Sequence, residues 1–407
     1  MQLVSCRKGY KKDTHRAVPP EETLSRIEGR MQECGITRVA DITNLDRVGI
    51  PVFSSIRPSA ADGAISVYAG KGATPVEARI SAMMEGIERH AAESTGRMLT
   101  LATYAECRSQ GESIEPSALI LPRGARADVR IPWMAGYDIA RGEPVLLPAC
   151  AVFHPLIATP SATNLFRTTT NGLASGNTLE EAIVHGLCEV IERDAWSLVE
   201  AARDTGPAVR CSGDGLVGDL LAKFAAAEIE VTVKEITSDI GVPTFAAVAD
   251  DLKLRDPALL VTGMGTHLDA SVAVLRALTE VAQSRLTQIQ GAREDTSAAD
   301  QRRLIGYERM KRMNRHWFGS EGEREAELPS KASDDFLEDI HTLLAMLRAR
   351  GLDRVVVVDL TRSSIGVPVV RVVVPGLEVY GMDRDRIGER CRRAAADRRL
   401  SRAESSS

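Results

Sequence analysis

A repeated stretch decides how this sequence folds: it reads TPVEARISAMMEGIER at Thr74–Arg89 and TLEEAIVHGLCEVIER at Thr178–Arg193. A shift of 104 positions matches Thr, Glu, Ala, Glu, Ile, Glu and Arg in place. A weaker third copy, AVLRALTEVAQ at Ala273–Gln283, has Gln where the second copy has its last Glu. Apolar residues recur at helical spacing in the copies, which predicts three long and largely packed helices.

Each of the first two copies places polar and acidic side chains on one helix face, because residues three and four apart share a face. These side chains are Ser81, Glu85 and Glu88 in the first helix and His185, Glu189 and Glu192 in the second. If the faces converge, four partly buried anions repel one another unless cations compensate. The plain alternative is that both faces point to water, and the duplication of the pattern argues against it.

Two other glutamates have an explanation that needs no function. Thr74 with Glu77, and Thr178 with Glu181, match the capping box that begins many helices. We therefore expect Glu77 and Glu181 to serve as caps, while the acids further along each helix remain unexplained by structure alone.

The type of side chain indicates the ligand. Carboxylates suit a hard cation such as Mg²⁺ better than zinc, and Mg²⁺ usually leaves several positions to water and phosphate. Four glutamates therefore fit about two or three Mg²⁺ ions shared with a triphosphate. Gly70-Lys71-Gly72 is not a complete P-loop, and Gly263-Met264-Gly265 lacks the third Gly of a dinucleotide fingerprint. An acid-rich surface thus replaces the usual phosphate loop.

Helices and strands are mixed along the whole chain, which predicts a mixed α/β (α+β) fold. Besides the repeats, extended to Thr74–Thr95, Thr178–Arg203 and Ala270–Arg293, helices are predicted at Glu21–Cys34 and Asp335–Arg350. Strands are predicted at Arg38–Ile42, Val48–Ile56, Ala64–Tyr68, Pro144–Pro155, Thr244–Asp250, Ala258–Thr262, Arg354–Asp359 and Pro368–Val374. The charged stretch 295–333 is expected to be a surface helix with a flexible segment. We expect an N-terminal segment (1–63), a main domain (64–381) and a flexible, Arg-rich tail (382–407).

Composition argues against several classes of protein. A formal net charge of -5 speaks against nucleic acid as the main partner. No apolar run reaches membrane-spanning length and the first residues lack a signal-peptide core, so we expect a cytoplasmic protein away from membranes. The seven cysteines are scattered singly without a CxxC pair, so neither a disulfide framework nor a zinc site is expected. A sulfur-relay role for one of them stays open.

On these motifs the sequence resembles the YcaO family. The blocks that carry the resemblance are GKG at Gly70–Gly72 with the SxxxExxE of Ser81–Glu88, TTNGLASGNTLEEAIVHGLCEVIERDAW at Thr169–Trp196, ALTEVAQSR at Ala277–Arg285, GARED at Gly291–Asp295 and VPVVRVVVPGLEVYG at Val367–Gly381. The N-terminal blocks SCRKGYKKDTHR and ITRVADITNLDRVGIPV are similar to the methanogen branch, whose members thioamidate a glycine of methyl-coenzyme M reductase.

The resemblance implies several α/β subunits around one ATP site, with the repeated acidic helices beside the ATP and Mg²⁺ on its phosphates, usually in a homodimer. Position by position, it implies metal-binding acids at Glu85, Glu88, Glu189 and Glu192, and nucleotide contacts at Arg16, Ser81, Asn177, Glu181, Arg193 and Arg276. Glu181 is in conflict, since a capping role and a ligand role compete for one carboxylate. No residue is implied as the catalytic base.

The resemblance also implies a reaction: ATP- and Mg²⁺-dependent activation of a peptide-backbone amide by phosphorylation of its carbonyl oxygen. The expected outcome is glycine thioamidation of the methyl-coenzyme M reductase alpha subunit, with a TfuA-type partner that helps to deliver sulfur. Azoline-forming members end in a PxPxP tail, whereas this sequence ends SRAESSS. Three alternatives stay open: a cyclodehydratase of ribosomal peptides, a nucleotide-binding accessory protein without backbone chemistry, and a carboxylate-metal phosphohydrolase.

Overall fold

The fold is taken from a computed structural model that describes residues 1–157, 164–211, 214–294, 298–319 and 322–405, without the side chains of 298 and 401–405. The helices are α1 (Pro20–Ile27), α2 (Pro75–Ala91), α3 (Tyr104–Gln110), α4 (Leu179–Ala202), α5 (Gly215–Ala226), α6 (Ala270–Gln290), α7 (Ala298–Ile305), α8 (Tyr307–Met313), α9 (Arg315–Phe318), α10 (Phe336–Arg348) and α11 (Glu389–Ser405). The strands are β1 (Tyr10–Lys11), β2 (His15–Arg16), β3 (Arg38–Asp41), β4 (Val52–Ile56), β5 (Val67–Lys71), β6 (Thr100–Ala102), β7 (Ile131–Asp138), β8 (Glu143–Pro148), β9 (Leu173–Ser175), β10 (Ala208–Arg210), β11 (Glu230–Glu235), β12 (Thr244–Asp250), β13 (Val261–Thr266), β14 (Glu323–Glu325), β15 (Val356–Asp359) and β16 (Val369–Val373).

The three repeated stretches form the three long helices α2, α4 and α6, as predicted. Each begins with a side-chain cap at the equivalent position, which is Thr74, Thr178 or Asp269. Thr74 and Glu77 complete the capping box. In the second repeat the box is only half formed: the Thr178 hydroxyl accepts the Glu181 N–H, but the Glu181 carboxylate points elsewhere. The capping prediction for Glu181 is therefore wrong for its side chain, which is left available to the site.

Each long helix packs on its own sheet. Helix α2 covers the three-stranded sheet β3-β4-β5, and α4 lies on β16 and β9 of the sheet β6-β7-β15-β16-β9, in which β8 also pairs with β7. Helix α6 lies on β13 and β12 of the sheet β13-β12-β11-β10-β14. Strand β10 pairs with β14 in parallel, and the other named pairs in these sheets are antiparallel. The predicted mixed α/β fold is confirmed, in its α+β form.

The three helix-on-sheet units meet in cyclic order. Helix α2 of the first unit contacts β9 of the second, α4 contacts β13 of the third, and α6 contacts β5 of the first. We call β5, β9 and β13 the leading strands, because each directly precedes the repeated helix of its unit. Each repeated helix therefore lies between its own sheet and the leading strand of a neighbouring unit. This closed arrangement turns the polar faces of the three helices toward a common centre.

Glycines on the leading strands allow the strands to lie against helix backbone. A Cβ added to Gly70 on β5 would lie 1.9 Å from the Ala82 nitrogen of α2, and one added to Gly265 on β13 would lie 2.0 Å from the Ala273 oxygen of α6. No real side chain tolerates such distances, so these positions need glycine. The close approach fixes the height of each acidic face above its sheet.

The expected domain boundary between residues 63 and 64 falls between two strands that pair with each other. Strands β4 and β5 lie on either side of it and pair along their whole length, from Val52 with Lys71 to Ile56 with Val67. The first residues are also tied to the body of the protein, because Lys8 forms a buried ion pair with Asp339 of α10. Segment 1–63 is therefore part of the main fold, and not a separate N-terminal unit.

The predicted tail begins as packed structure. Arg386 donates to the carbonyls of Leu119 and Ile120, Arg390 donates to the buried carboxylate of Asp194 at 2.8 Å, and Cys391 is fully buried. A carboxylate buried in α4 needs a cation nearby, which the Arg-rich composition alone did not reveal. The expectation of a flexible tail from residue 382 is therefore wrong for residues up to about Cys391, and residues 406–407 lie outside the described part.

Other elements differ in extent from the predictions. Helix α1 ends at Ile27 and is followed by a 3₁₀ turn, and β7 (Ile131–Asp138) was not predicted. The charged region 295–333 contains the short helices α7, α8 and α9 and strand β14, while residues 295–297 and 320–321 lie outside the described residues. Within the described chain, no helix has the length and apolar character needed to cross a membrane.

The glycine contacts give a first prediction. Gly70→Ala should lower the free energy of unfolding by about 3 kcal/mol, because its Cβ has no room against α2. Gly29→Ala is the control, since nothing lies within 4 Å of its added Cβ, and it should change stability by less than about 0.5 kcal/mol. Denaturant unfolding followed by circular dichroism compares the two. Equal stability of both variants would contradict the close packing of β5 on α2.

Candidate active site

A cavity of about 800 Å³ lies where α2, α4 and α6 converge. All ten residues singled out from the sequence line it: Arg16, Ser81, Glu85, Glu88, Asn177, Glu181, Glu189, Glu192, Arg193 and Arg276. The alternative in which the acidic faces point to water is therefore wrong. Cavities of this size are typical of ligand sites in proteins.

The acids of α2 are held by different partners. Arg89 donates to Glu85 at 2.8 and 2.6 Å from the same helix. Glu88 accepts the backbone N–H and the hydroxyl of Ser175, at 2.8 and 2.7 Å, from the neighbouring strand β9. Burial would raise the pKa of Glu85, but Arg89 lowers it, whereas burial and the charge of Glu85 raise the pKa of Glu88. The hydrogen bonds of Glu88 thus come from neutral groups of Ser175, whereas those of Glu85 come from a cation.

The acids of α4 are also only partly compensated. The Gly172 N–H donates to Glu189 at 3.2 Å, and the Arg193 guanidinium lies 3.6 Å from the Glu192 carboxylate. Burial raises the pKa of both Glu189 and Glu192, although Arg193 opposes the shift. An added cation would lower the cost of keeping these carboxylates ionised.

The third helix adds functional candidates that sequence reasoning missed. Glu280 of α6 occupies the repeat position of Glu189 and forms an ion pair with Lys71 of β5. Gln283 occupies the position of Glu192 and donates to the Ala69 carbonyl at 2.8 Å. Both line the cavity together with Lys71. The repeat register itself could have identified Glu280, because the third copy aligns it with an acid already singled out.

Two arginines make the cavity suitable for an anion. The Nε atoms of Arg193 and Arg276 are buried and have no hydrogen-bond partner among the residues that the structure describes. Buried N–H groups are normally paired, so an anionic group in the cavity would satisfy them. The residues present therefore fit a phosphate chain beside acids that hold Mg²⁺.

The acids do not form a complete metal cage. Among the residues that the structure describes, no three acidic, histidine or cysteine side chains gather closely enough to hold a metal ion by themselves. Mg²⁺ in nucleotide sites commonly takes one or two carboxylates and completes its shell with phosphate and water. The arrangement therefore fits Mg²⁺ that binds together with a polyphosphate.

The N-terminal segment closes one end of the cavity. Arg16 contacts His185 and lies 3.7 Å from the Glu181 carboxylate. Glu181 also accepts the Ala17 N–H at 2.9 Å and the Asn177 amide at 3.2 Å. Arg16, whose assignment rested on a loosely similar region, is thus placed in the site by its own contacts, and His185 joins it there.

Comparison with known proteins places this geometry in a family. A family model described as a YcaO cyclodehydratase that binds ATP and Mg²⁺ matches residues 69–378. The chain belongs to the YcaO family. The expected cofactors, ATP and Mg²⁺, are confirmed by that description.

Relatives and solved structures agree with this assignment. An uncharacterised protein of Methanothermobacter thermautotrophicus is 52% identical over 92% of this chain and 98% of its own. A protein from the tfuA 3' region of Rhizobium leguminosarum bv. trifolii is 35% identical over 89% of both chains. YcaO from Methanopyrus kandleri, solved with AMPPCP and Mg²⁺, is 33% identical over 94% of this chain and 98% of its own, with a TM-score of 0.79. A heterocyclase solved with substrate and cofactor has the same TM-score at 25% identity, over 93% of this chain and 54% of its own.

The site predicts the behaviour of a charge-neutral variant. Burial makes the ionised form of Glu192 costly in the ligand-free protein, so Glu192→Gln should unfold at the same or a slightly higher temperature. Its affinity for Mg²⁺-AMPPCP should fall about 100-fold, because a metal-binding charge is lost. Calorimetric titration measures the affinity.

Glu180→Gln is the matched control for this measurement. Glu180 lies on the same helix, but its carboxylate accepts the Val4 N–H and does not line the cavity. Its variant should bind nucleotide as the parent protein does. Unchanged affinity in Glu192→Gln would show that the acids of α4 do not hold the metal.

Proposed function

We propose that this YcaO protein thioamidates a glycine of the methyl-coenzyme M reductase alpha subunit, using ATP and Mg²⁺. We further propose that it works in the cytoplasm as a homodimer, with a TfuA-type partner. Two observations carry the proposal. The cavity combines acids from repeated helices with two arginines whose buried Nε groups have no hydrogen-bond partner among the described residues, and a 35%-identical relative comes from a tfuA region. The extensive similarity to a Methanothermobacter protein supports the methanogen substrate.

The proposed roles follow the positions in the cavity. Mg²⁺ held by Glu85, Glu88, Glu189 and Glu192 would neutralise the charge of the triphosphate during transfer. Arg193 and Arg276, whose buried Nε groups have no hydrogen-bond partner among the described residues, would donate to the phosphates. Arg16, Ser81, Asn177 and Glu181 line the same cavity and would contact the nucleotide.

The reaction exchanges one oxygen for one sulfur in three steps. Hydrosulfide attacks the glycine carbonyl carbon, and the carbonyl π pair moves to oxygen. That oxyanion attacks the γ-phosphorus of ATP, and ADP leaves. The sulfur–hydrogen proton is then lost as the carbon–oxygen bond breaks, which gives the thioamide and inorganic phosphate. In phosphoryl transfer the protein mainly positions groups and stabilises charge, as the residues of this cavity can do.

A cyclodehydratase is the second candidate, because the family description and the heterocyclase structure favour it. There the nucleophile would be a Cys, Ser or Thr side chain of the peptide and not sulfide. The activation of the amide oxygen would be the same, so the cavity alone fits both reactions.

The sulfur should not pass through a cysteine of this chain. All seven cysteines are free, and none lines the cavity within the described residues. Burial raises the pKa of Cys188 to about 12 and that of Cys150 to about 11, so neither thiol forms the reactive thiolate at neutral pH.

This gives a prediction for cysteine variants. Single replacement of each cysteine by Ser or Ala should leave thioamidation within a few-fold, apart from a packing loss at Cys188, which lies beside Glu189. Product formation and AMPPCP binding are measured for each variant. A variant that binds nucleotide normally but transfers no sulfur would reveal a persulfide relay.

Intact-peptide mass spectrometry tests the substrate. With ATP, Mg²⁺, sulfide and a TfuA-type partner, a peptide spanning the reductase glycine should gain the mass of sulfur minus oxygen. Loss of one water from a Cys, Ser or Thr peptide would instead establish cyclodehydration. Glu192→Gln is the control and should give neither product. ATP binding without any change in either peptide would indicate an accessory protein.

A further inference from the structure

The cavity extends beyond the residues that we assign to the nucleotide and the metal. Its lining along α4 begins at Glu181 and continues through Arg193 to Trp196 and Glu200. At 1.5 Å per residue this stripe is about 28 Å long, and the part beyond Arg193 accounts for about 10 Å of it. An extended peptide rises about 3.3 Å per residue, so this part has the length of about three residues.

The part beyond Arg193 has its own lining. We call it the aromatic end, and it is formed by Trp196, Gln288, Met310, Asn314, Trp317 and Phe318. Apolar rings and a methionine line it together with two side-chain amides and Glu200, and Arg293 and Arg302 also line the cavity. The acids Glu85, Glu88, Glu189 and Glu192 lie before this end, in what we call the charged half. Such a mixture of apolar surface and neutral polar groups favours an uncharged ligand.

The acid at the aromatic end is already neutralised. Glu200 accepts the Trp317 indole N–H at 2.7 Å and the Arg384 guanidinium at 2.7 Å, and it lies 3.4 Å from His316. Its carboxylate is therefore committed to holding α9 and the C-terminal segment against α4. This bond also fixes the Trp317 ring in the lining.

Polar groups of the aromatic end match a peptide backbone. The amide oxygen of Gln288 is buried and has no hydrogen-bond partner within the described part of the chain. The Asn314 amide nitrogen donates to the Met310 carbonyl at 3.1 Å, which orients its side chain. A buried acceptor without a donor is costly, and a backbone N–H in the cavity would satisfy it.

Trp196 connects the aromatic end to the charged half. Arg193 lies over its ring at 5.7 Å, and a Cβ added to Gly381 would lie 2.7 Å from the indole. The indole is thus held between the arginine assigned to phosphate and a backbone segment that only glycine permits. A chain that lies along this ring reaches the phosphate end directly.

We propose that the aromatic end binds the substrate polypeptide as an extended, uncharged segment of about three residues, with Gln288 accepting a backbone N–H. The proposal rests on the proposed function, because it places the amide to be activated next to the bound nucleotide. The occupant is a peptide and not a second nucleotide, since the Gln288 oxygen needs a donor, which a backbone N–H supplies and an ionised phosphate does not.

Two methionines of α8 provide a matched test. Met310 lines the aromatic end, while Met313 is half-exposed on the same helix and does not line the cavity. Met310→Glu places a charge in the segment's path and should raise the KM for the peptide about tenfold or more, with kcat at saturating peptide and AMPPCP affinity within about threefold. Met313→Glu should leave all three unchanged. Gln288→Leu, which removes the acceptor, should raise the same KM several-fold.

Photo-crosslinking provides a second measurement that does not need turnover. Benzoylphenylalanine at position 310 should crosslink to the reductase peptide in the presence of Mg²⁺-AMPPCP, and at position 313 it should not. An unchanged KM in both Met310→Glu and Gln288→Leu, or equal crosslinking at the two positions, would overturn the assignment. If the parent protein modifies no peptide but position 310 still crosslinks it, the proposed chemistry fails while the subsite stands.

Discussion

The burial of several glutamate side chains in one cavity is the main energetic constraint on this fold. Glu85, Glu88, Glu189, Glu192 and Glu280 line a single cavity, where each would be costly alone. The protein offsets part of that cost with Arg89, Arg193 and Lys71. Part of the cost of burying these charges is not offset by the protein, as the raised pKa values of Glu88, Glu189 and Glu192 indicate. Bound cations would offset it. A folded protein keeps such an arrangement when Mg²⁺ and a polyphosphate complete it, and YcaO proteins are ATP- and Mg²⁺-binding.

The fold supports this arrangement by holding three helices rigidly around one point. Each helix is capped at its start, lies on its own sheet and touches the leading strand of a neighbouring unit. Hydrogen bonds between units involve the polar helix faces directly. Ser175 of the second unit donates to Glu88 of the first, and Gln283 of the third donates to the Ala69 carbonyl of the first. The same repeat position thus serves as an acceptor in one unit and as a donor in another. The repeat pattern therefore supplies both side chains that line the cavity and side chains that bond one unit to the next.

The cavity has two ends of different chemistry, and this suits a reaction between a nucleotide and a neutral amide. The charged half supplies cations and acids for the triphosphate, while the aromatic end supplies rings and amides. Arg193 and Trp196 lie between them. All seven cysteines are free, and burial raises the pKa of the Cys188 thiol to about 12. The proposed thioamidation therefore takes its sulfur from a donor outside this chain.

The sequence by itself determined the three long helices and the α/β character, because periodicity and repetition are local properties that a single chain displays. The same periodicity indicated the acidic helix faces, whereas Arg16, Asn177, Glu181, Arg193 and Arg276 were implied by the resemblance to the YcaO family. The sequence also indicated Mg²⁺, because ligand chemistry follows from side-chain type. Only the tertiary structure decided which partners each carboxylate has. The Glu181 carboxylate accepts hydrogen bonds from Ala17 and Asn177 and does not complete the capping box. The buried Asp194 carboxylate accepts from Arg390, which lies in the expected tail. The sequence also gave no sign that β4 pairs with β5 across the expected domain boundary. Such contacts join residues far apart in the chain, and their energies depend on burial that no local pattern records.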